Sequence, residues 1–115
     1  MSTRLTLRLD FDADRRLGPG KVALLEAIRD TGSISGAGRA HAMSYRRAWL
    51  LVEEMNRMFA EPLVAARPGG AKGGGAALTP AGTKVVALYR EAERKMRAGA
   101  EAEIASMERA LARVG

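Results

Sequence analysis

Four consecutive residues, Ser44, Tyr45, Arg46 and Arg47, carry side chains that commonly bind anionic groups. An arginine can pair through two N–H groups with a guanine edge or a phosphate, and Ser and Tyr hydroxyls often contact phosphates. No Asp or Glu occurs within residues 31–52, so no carboxylate close in sequence offsets these charges. The segment therefore predicts contact with a polyanion, and the alternative is an ordinary solvated start of a helix.

Three further basic residues, Arg39, Arg67 and Lys72, are candidates for the same ligand. Arg39 either holds a phosphate or keeps its helix solvated, and Arg67 either contacts a phosphate or ends a strand. Lys72 lies in the glycine-rich run 68–75, PGGAKGGG, whose backbone N–H groups can approach a phosphate. The run lacks the GxxxxGK[ST] spacing of nucleotide-binding loops, so an enzyme acting on nucleotides is the weakest alternative.

Catalytic and metal-binding chemistry find little support. The chain has no cysteine and one histidine, His41, which excludes thiol catalysis, thiolate-bound zinc and a site with two imidazoles in one chain. The carboxylates of Glu53 and Glu54 are neighbours on a predicted helix and do not converge on one point. We therefore predict a protein that is not an enzyme, with no catalytic residues, no metal site and no cofactor.

The composition is that of one folded basic domain. Of its 115 residues 47% are hydrophobic and 28% charged, which argues against disorder, and its net charge of +6 favours a polyanionic partner. The N-terminus lacks the apolar core of a signal peptide, and no apolar run approaches the roughly twenty residues of a membrane helix. We therefore expect a cytoplasmic protein with no membrane partner.

The hydrophobic pattern predicts two helices before the basic residues. Apolar residues at helical spacing predict the first over residues 19–30, which Gly32 can end in a left-handed conformation. Ser33 can cap a short second helix built mostly from Ala and Gly. The predicted inner face of that second helix consists of Ile34, Ala37 and Ala40.

A third helix is predicted to begin after Ser44, which can cap it, and to run to about Phe59. Arg46 lies near the middle of its polar arc and is predicted to contact the edge of a nucleic-acid base. Arg47 lies at the margin of the arc and is expected to hold a phosphate. Trp49 lies on the same polar arc, and we favour packing in the core over DNA contact for its side chain. The predicted apolar arc consists of Ala48, Leu51, Val52, Met55, Met58 and Phe59.

Strands are predicted on both sides of these helices. Strict alternation predicts a half-buried strand over residues 4–10, followed by a loop without periodicity. Residues 63–67 and 76–79 read as a hairpin with the glycine-rich run at its tip. Thr79 can cap a final helix over residues 80–113, too long for a core of this size to cover.

Together these elements predict a mainly α fold with a small β hairpin, namely a winged helix-turn-helix with a long C-terminal dimerisation helix. The predicted division is residues 1–79 for the DNA-binding domain and residues 80–115 for the dimerisation helix. In helix-turn-helix proteins the second helix of the tight pair enters the DNA major groove with its N-terminal residues first. The predicted partner is double-stranded DNA.

The segment GSISGAGRAHAMSYRRAW, together with the later EPLVAARPGGAKGGGAALTPAG and ALYRE, resembles the N-terminal DNA-binding domain of the ModE-type molybdenum-dependent transcription regulators. The resemblance covers about residues 4–95, and its most specific element is the glycine-rich wing combined with SYRRAW. LysR-type regulators share the general plan but generally not this wing. A LysR-like winged-helix regulator is therefore an alternative interpretation.

The resemblance implies a homodimer that binds a palindromic operator in genes for molybdate uptake or molybdoenzymes. Relatives of full length continue into molybdate-binding domains, whereas this sequence ends at Gly115. We therefore expect a regulator without its own molybdate module, with a separate molybdate-sensing protein as a further partner. The alternative from another class is an interaction module whose long helix pairs with a separate ligand-binding protein.

Overall fold

The structure is a computed structural model that describes residues 3–68 and 75–113. Two short antiparallel hairpins, β1–β2 and β3–β4, accompany five helices. The elements in chain order are β1 (Leu9–Asp10), β2 (Arg16–Leu17), α1 (Pro19–Thr31), α2 (Ile34–Ala40), α3 (Tyr45–Met58), β3 (Val64–Arg67), β4 (Gly75–Leu78), α4 (Pro80–Gly99) and α5 (Glu101–Ala110). This order confirms the predicted winged helix-turn-helix.

The predicted signals for helix ends are confirmed. Gly32 ends α1 in the left-handed region, at φ 77°, and its N–H donates to the Ile28 carbonyl. The Ser33 hydroxyl oxygen accepts a hydrogen bond of 2.8 Å from the Gly36 N–H at the start of α2. The Ser44 hydroxyl oxygen accepts one of 3.1 Å from the Arg47 N–H at the start of α3.

Small residues allow α2 to lie close against the start of α3. Ala37 is fully buried, and the Met43 N–H donates to the Gly38 carbonyl at 2.9 Å. A Cβ added at Gly38 would lie 3.2 Å from the Met43 carbonyl oxygen and 3.4 Å from the Ala48 Cβ. Ala40, in contrast, is exposed, so its predicted inward position is wrong.

One core unites the helical pair with α1, the β3–β4 hairpin and the first half of α4. Its largest fully buried side chains are Val22, Leu24, Leu25, Ile28, Met55 and Leu63. Val86 and Tyr89 of α4 belong to the same core, and the Tyr89 hydroxyl donates to the Leu7 carbonyl at 2.6 Å. The first half of α4 thus supports the DNA-binding unit, although the predicted division at residue 79 remains a prediction.

The β3–β4 hairpin, which we call the wing, is fixed to the end of α3 by Asn56. The Asn56 Oδ1 accepts from the N–H groups of Leu63 and Val64, and its Nδ2 donates to the Val64 carbonyl. On the opposite strand, the Ala76 N–H donates to the Gly32 carbonyl at 2.9 Å. The wing is therefore held both by α3 and by the end of α1.

The N-terminal strand differs from its prediction. The alternation of exposure along residues 3–10 is as predicted, but only Leu9 and Asp10 pair, with Leu17 and Arg16 of the segment predicted as a loop. The Asp12 carboxylate accepts from the N–H groups of Asp14 and Arg15, which closes a tight turn between the two strands. That turn brings the short second strand back against the first.

The prediction of one unbroken helix over residues 80–113 is wrong. The helix is interrupted at Ala100, where ψ of 7° departs from helical values, and α5 follows from Glu101. Gly99, a poor helix former, precedes the break. Contacts with the N-terminal segment also hold both helices, since Arg97 donates to the Thr3 carbonyl and the Thr3 hydroxyl contacts the Glu108 carboxylate.

Candidate nucleic-acid interface

The first turn of α3 places the predicted anion-binding residues together at an exposed helix N-terminus. Tyr45, Arg46 and Arg47 are exposed on the 14-residue helix. The positive end of the helix dipole lies at the same place and attracts anions. Because the Ser44 hydroxyl caps the helix as an acceptor, its own O–H remains able to donate to a phosphate.

The outward face of α3 lies opposite its buried residues. Arg46 projects on that face, where the helical spacing predicts it. Trp49 is 42% exposed and Leu50 is 47% exposed, so the preferred prediction that Trp49 packs in the core is wrong. Gly38 and Ala48 lie in the contact between α2 and α3, and the indole of Trp49 lies on the surface.

The outward face carries an open depression lined by both charged and apolar side chains. Its lining consists of Ser44, Arg46, Arg47, Leu50, Leu51, Glu54 and Arg57. Within residues 3–68 and 75–113, the three arginines of this depression make no ion pair. Glu54, its one acid, pairs with Lys21 at 3.0 Å. The depression therefore has a net positive charge available for an external anion.

A second depression adjoins the first at Arg47 and Leu51 and adds basic residues that sequence reasoning missed. Arg8, Arg16 and Lys21 line it. Arg8 and Arg16 share the single carboxylate of Asp10, so cations outnumber acids on this side as well. The alternation of the N-terminal segment places Arg8 on its exposed face, so the exposure of Arg8 could have been predicted from the sequence. The position of Lys21 depends on tertiary packing, which the sequence pattern does not show.

The other sequence-predicted residues lie apart from these two depressions. Arg39 is exposed near the end of α2, where its guanidinium donates to the Ser35 hydroxyl at 2.8 Å. Arg67 ends β3, and its guanidinium lies near Gly32 at the joint between α1 and α2. Lys72 lies outside the described residues.

The chain is similar in sequence to several curated proteins. The chain is 49% identical over 96 residues to the molybdenum-pterin-binding protein MopB of Rhodobacter capsulatus, and 40% identical over 94 residues to the molybdenum transport protein ModE of Azotobacter vinelandii. It is 35% identical over 89 residues to the DNA-binding transcriptional dual regulator ModE of Escherichia coli K12. These alignments cover 77–84% of this chain. The chain is a ModE homologue.

The alignments cover 34–35% of the three relatives, so the chain spans about a third of the length of the curated ModE-type proteins it matches. No protein-family model matches it. Among solved structures, a LysR-family transcriptional regulator superposes with a TM-score of 0.53 at 15% identity, over 71% of this chain and 26% of the other. At that identity the likeness concerns the winged-helix fold alone.

Not every basic residue of this ModE homologue contributes to the exposed charge. Arg90 ends the stretch 62–90, which contains no Asp or Glu. Its guanidinium nevertheless binds the Glu26 carboxylate at 2.6 and 3.0 Å and the Glu93 carboxylate at 2.6 Å. These hydrogen bonds raise the pKa of Arg90, and Arg90 lowers the pKa of Glu26. Arg90 therefore ties α4 to α1 and is not part of the basic surface.

Residues 3–68 and 75–113 lack two features of other functional classes. Within them, no three His, Cys, Asp or Glu side chains are grouped so as to hold a metal ion. No helix in the same part of the chain has the length and hydropathy needed to cross a bilayer.

Proposed function

We propose that this chain forms the DNA-binding part of a bacterial ModE-type transcription regulator and recognises a specific sequence in double-stranded DNA. The observation that carries the proposal is the exposed first turn of α3, whose arginines have no acidic partner among the described residues. In a winged helix-turn-helix, this turn is the part that enters the major groove. Several relatives are named transcriptional regulators, which supports the same class. Genomic DNA as the partner implies a cytoplasmic location.

The residues at the start of α3 take separate roles in this proposal. Arg46 projects outward and reads a base, most favourably a guanine through two hydrogen bonds. Arg47 lies between the two depressions and holds a backbone phosphate. The hydroxyls of Ser44 and Tyr45 donate to phosphates beside the groove.

Phosphate contacts on either side of α3 fix the orientation of the protein. Arg39 and Arg67, with Lys72 at the wing, are the proposed positioning residues from the sequence. The structure adds Arg8 and Arg16, which are exposed beside Arg47. Contacts of this kind raise affinity for every DNA sequence and carry no base information directly.

We further propose that two copies bind a palindromic operator, with α4 and α5, in residues 80–115, forming the dimer. Three large apolar side chains in this region are exposed: Leu88, Met107 and Leu111. Burial of such side chains between two copies would remove them from water. The same exposed residues would also fit pairing with a separate ligand-binding protein. Light scattering at micromolar concentration distinguishes the two, because only the first gives a dimer of the purified chain.

A regulatory response to molybdenum is proposed from the names of the relatives. Among the described residues the one buried tyrosine, Tyr89, already donates its hydroxyl to the Leu7 carbonyl, and no other polar and no charged side chain is buried. An oxyanion site walled from water needs several converging donors. A response to molybdate would therefore require a molybdate-binding segment other than these residues. A separate molybdate-sensing protein is one such partner.

Selection from a random pool of duplex DNA, followed by fluorescence anisotropy on the enriched sequence, tests the proposal. Arg46→Ala should weaken binding to the best site by about 1–3 kcal/mol and relax the preference at one base pair. Arg94→Ala is the matched control, because it removes the same charge from an exposed arginine that pairs with Glu91 on α4. Failure to enrich any sequence, or equal effects of both variants, would contradict the proposal.

A further inference from the structure

A cluster of apolar side chains interrupts the polar surface at the start of α3. Tyr45, Trp49 and Leu50 are 58%, 42% and 47% exposed. Seven large hydrophobic side chains are exposed in the described part of the chain, and these three fall within six consecutive positions. Clustering on this scale is unlike the scatter of single exposed residues and marks a contact surface.

Leu50 is the member of this cluster that shares a depression with Arg46. Both residues line the same open surface, together with Arg57. Four residues separate Leu50 from Arg46, so the two lie roughly 40° apart around the helix axis and on the same outward face. Trp49 lies on the other side of Arg46 and does not line the depression.

The charges around Leu50 indicate what kind of molecule covers it. Arg46, Arg47 and Arg57 surround it without an acidic partner among the described residues, and burial of unpaired guanidinium groups against an apolar protein surface would be costly. The DNA major groove, in contrast, supplies phosphates and base acceptors to the arginines. It also presents one apolar group, the C5-methyl of thymine.

Resting on the proposed function, we propose that Leu50 contacts the methyl group of a thymine in the major groove and thereby determines sequence specificity. Leu50 lies about 6 Å further along the helix than Arg46, and DNA bases of one strand are spaced by about 3.4 Å. The thymine should therefore lie within about two base pairs of the base that Arg46 reads. Leu50 adds discrimination for thymine over cytosine and uracil to the guanine preference given by Arg46.

Replacement of single thymines by deoxyuridine tests this contact, because the exchange removes the methyl group and leaves base pairing intact. The probe is the duplex enriched from a random pool, with each thymine of a half-site replaced in turn. Wild-type protein should lose about fourfold in affinity at one position, the effect of one methyl-sized group removed from contact. That position should lie within two base pairs of the one at which Arg46→Ala relaxes the preference.

The variant Leu50→Ala should bind the thymine and uracil duplexes with equal affinity. Leu88→Ala removes a leucine of α4 that is 59% exposed, against 47% for Leu50, and should keep the fourfold ratio, even if it changes the affinity for both duplexes. The measurement on wild-type protein needs no variant and stands even if Leu50→Ala folds poorly.

The outcomes separate this inference from the proposed function. Sequence-specific binding without a uracil effect at any position would overturn the thymine contact and leave the DNA-binding proposal intact. A fourfold uracil effect that persists in Leu50→Ala would also overturn the role of Leu50. If the pool yields no enriched duplex, both proposals are contradicted.

Discussion

The wing depends on one side chain, Asn56, and its removal gives a prediction with a magnitude. Asn56→Ala deletes three hydrogen bonds, with lengths of 2.8, 3.0 and 3.1 Å, to the backbone of Leu63 and Val64. Both residues are buried, so water cannot readily replace the lost partners. At about 1 kcal/mol for each hydrogen bond, the variant should lose about 3 kcal/mol of unfolding free energy. That is a large part of the 5–15 kcal/mol typical of a small domain.

Urea denaturation followed by circular dichroism measures this loss, with Arg57→Ala as the control. Arg57 is the next residue of α3 and is exposed, so its replacement should change stability by less than about 0.5 kcal/mol. A second readout is DNA affinity at low urea, where Asn56→Ala should bind more weakly because the wing is displaced. A stability change below about 1 kcal/mol for Asn56→Ala would refute the reasoning that this side chain fixes the wing.

Three further predictions follow from contacts within the fold and from its polar groups. Gly82→Ala should reduce the free energy of unfolding by about 2 kcal/mol or more, because the added Cβ would lie 2.1 Å from the Leu63 carbonyl oxygen. Gly20→Ala is the control, because a Cβ added there meets nothing within 4 Å and should change the thermal midpoint of unfolding little. Arg90 lowers the pKa of Glu26, so Glu26→Gln should reduce the free energy of unfolding by about 1 kcal/mol near pH 7, after allowance for solvent screening. In urea titrations the difference in unfolding free energy between wild type and variant should shrink as the pH falls below about 4, where the Glu26 carboxylate becomes protonated. Sodium molybdate should change the DNA affinity of the 115-residue chain by less than about twofold, since apart from Tyr89, which is bonded to Leu7, no described polar side chain is buried; a stoichiometric site found by calorimetry would contradict this.

The helix boundaries could be predicted from the sequence because their causes are local. Ser33, Ser44 and Thr79 each accept a hydrogen bond from an N–H group three residues further on. Gly32 adopts a left-handed conformation that its own lack of a Cβ permits. Signals of this kind are contained within a few residues, so no knowledge of the tertiary structure is required.

The features that could not be predicted depend on residues distant in sequence. Arg90 appears as a free cation in its own segment, but it meets Glu26 across a separation of 64 residues. The break at Ala100 lies beyond Tyr89, the last buried residue of α4, and close to Arg97, which donates to the Thr3 carbonyl at the other end of the chain. The exposure of Trp49 is set by which other elements pack against α3. Periodicity describes one helix at a time and contains no information on these contacts.

For the candidate site, the sequence located the first turn of α3, since the basic tetrapeptide and its serine cap are adjacent in the chain. It did not locate Arg8, which precedes β1, Arg16 in β2 or Lys21 in α1. These residues line one depression with Arg47 only because the N-terminal hairpin and α1 pack beside α3. The assignment of the predicted contact residues to DNA remains a prediction.

The central claim is that the exposed charge at α3 and the wing binds the DNA backbone. The salt dependence of DNA affinity tests this claim most directly. The phosphate contacts proposed from the sequence, Arg39, Arg47, Arg67 and Lys72, number four for each subunit. Two subunits would thus release about eight counterions, so the logarithm of the association constant should fall with the logarithm of salt concentration with a slope of about −7, and the added contacts of Arg8 and Arg16 should steepen it towards about −11. Anisotropy titrations of the enriched duplex at KCl concentrations from about 50 to about 300 mM give this slope. A slope near zero would contradict the account.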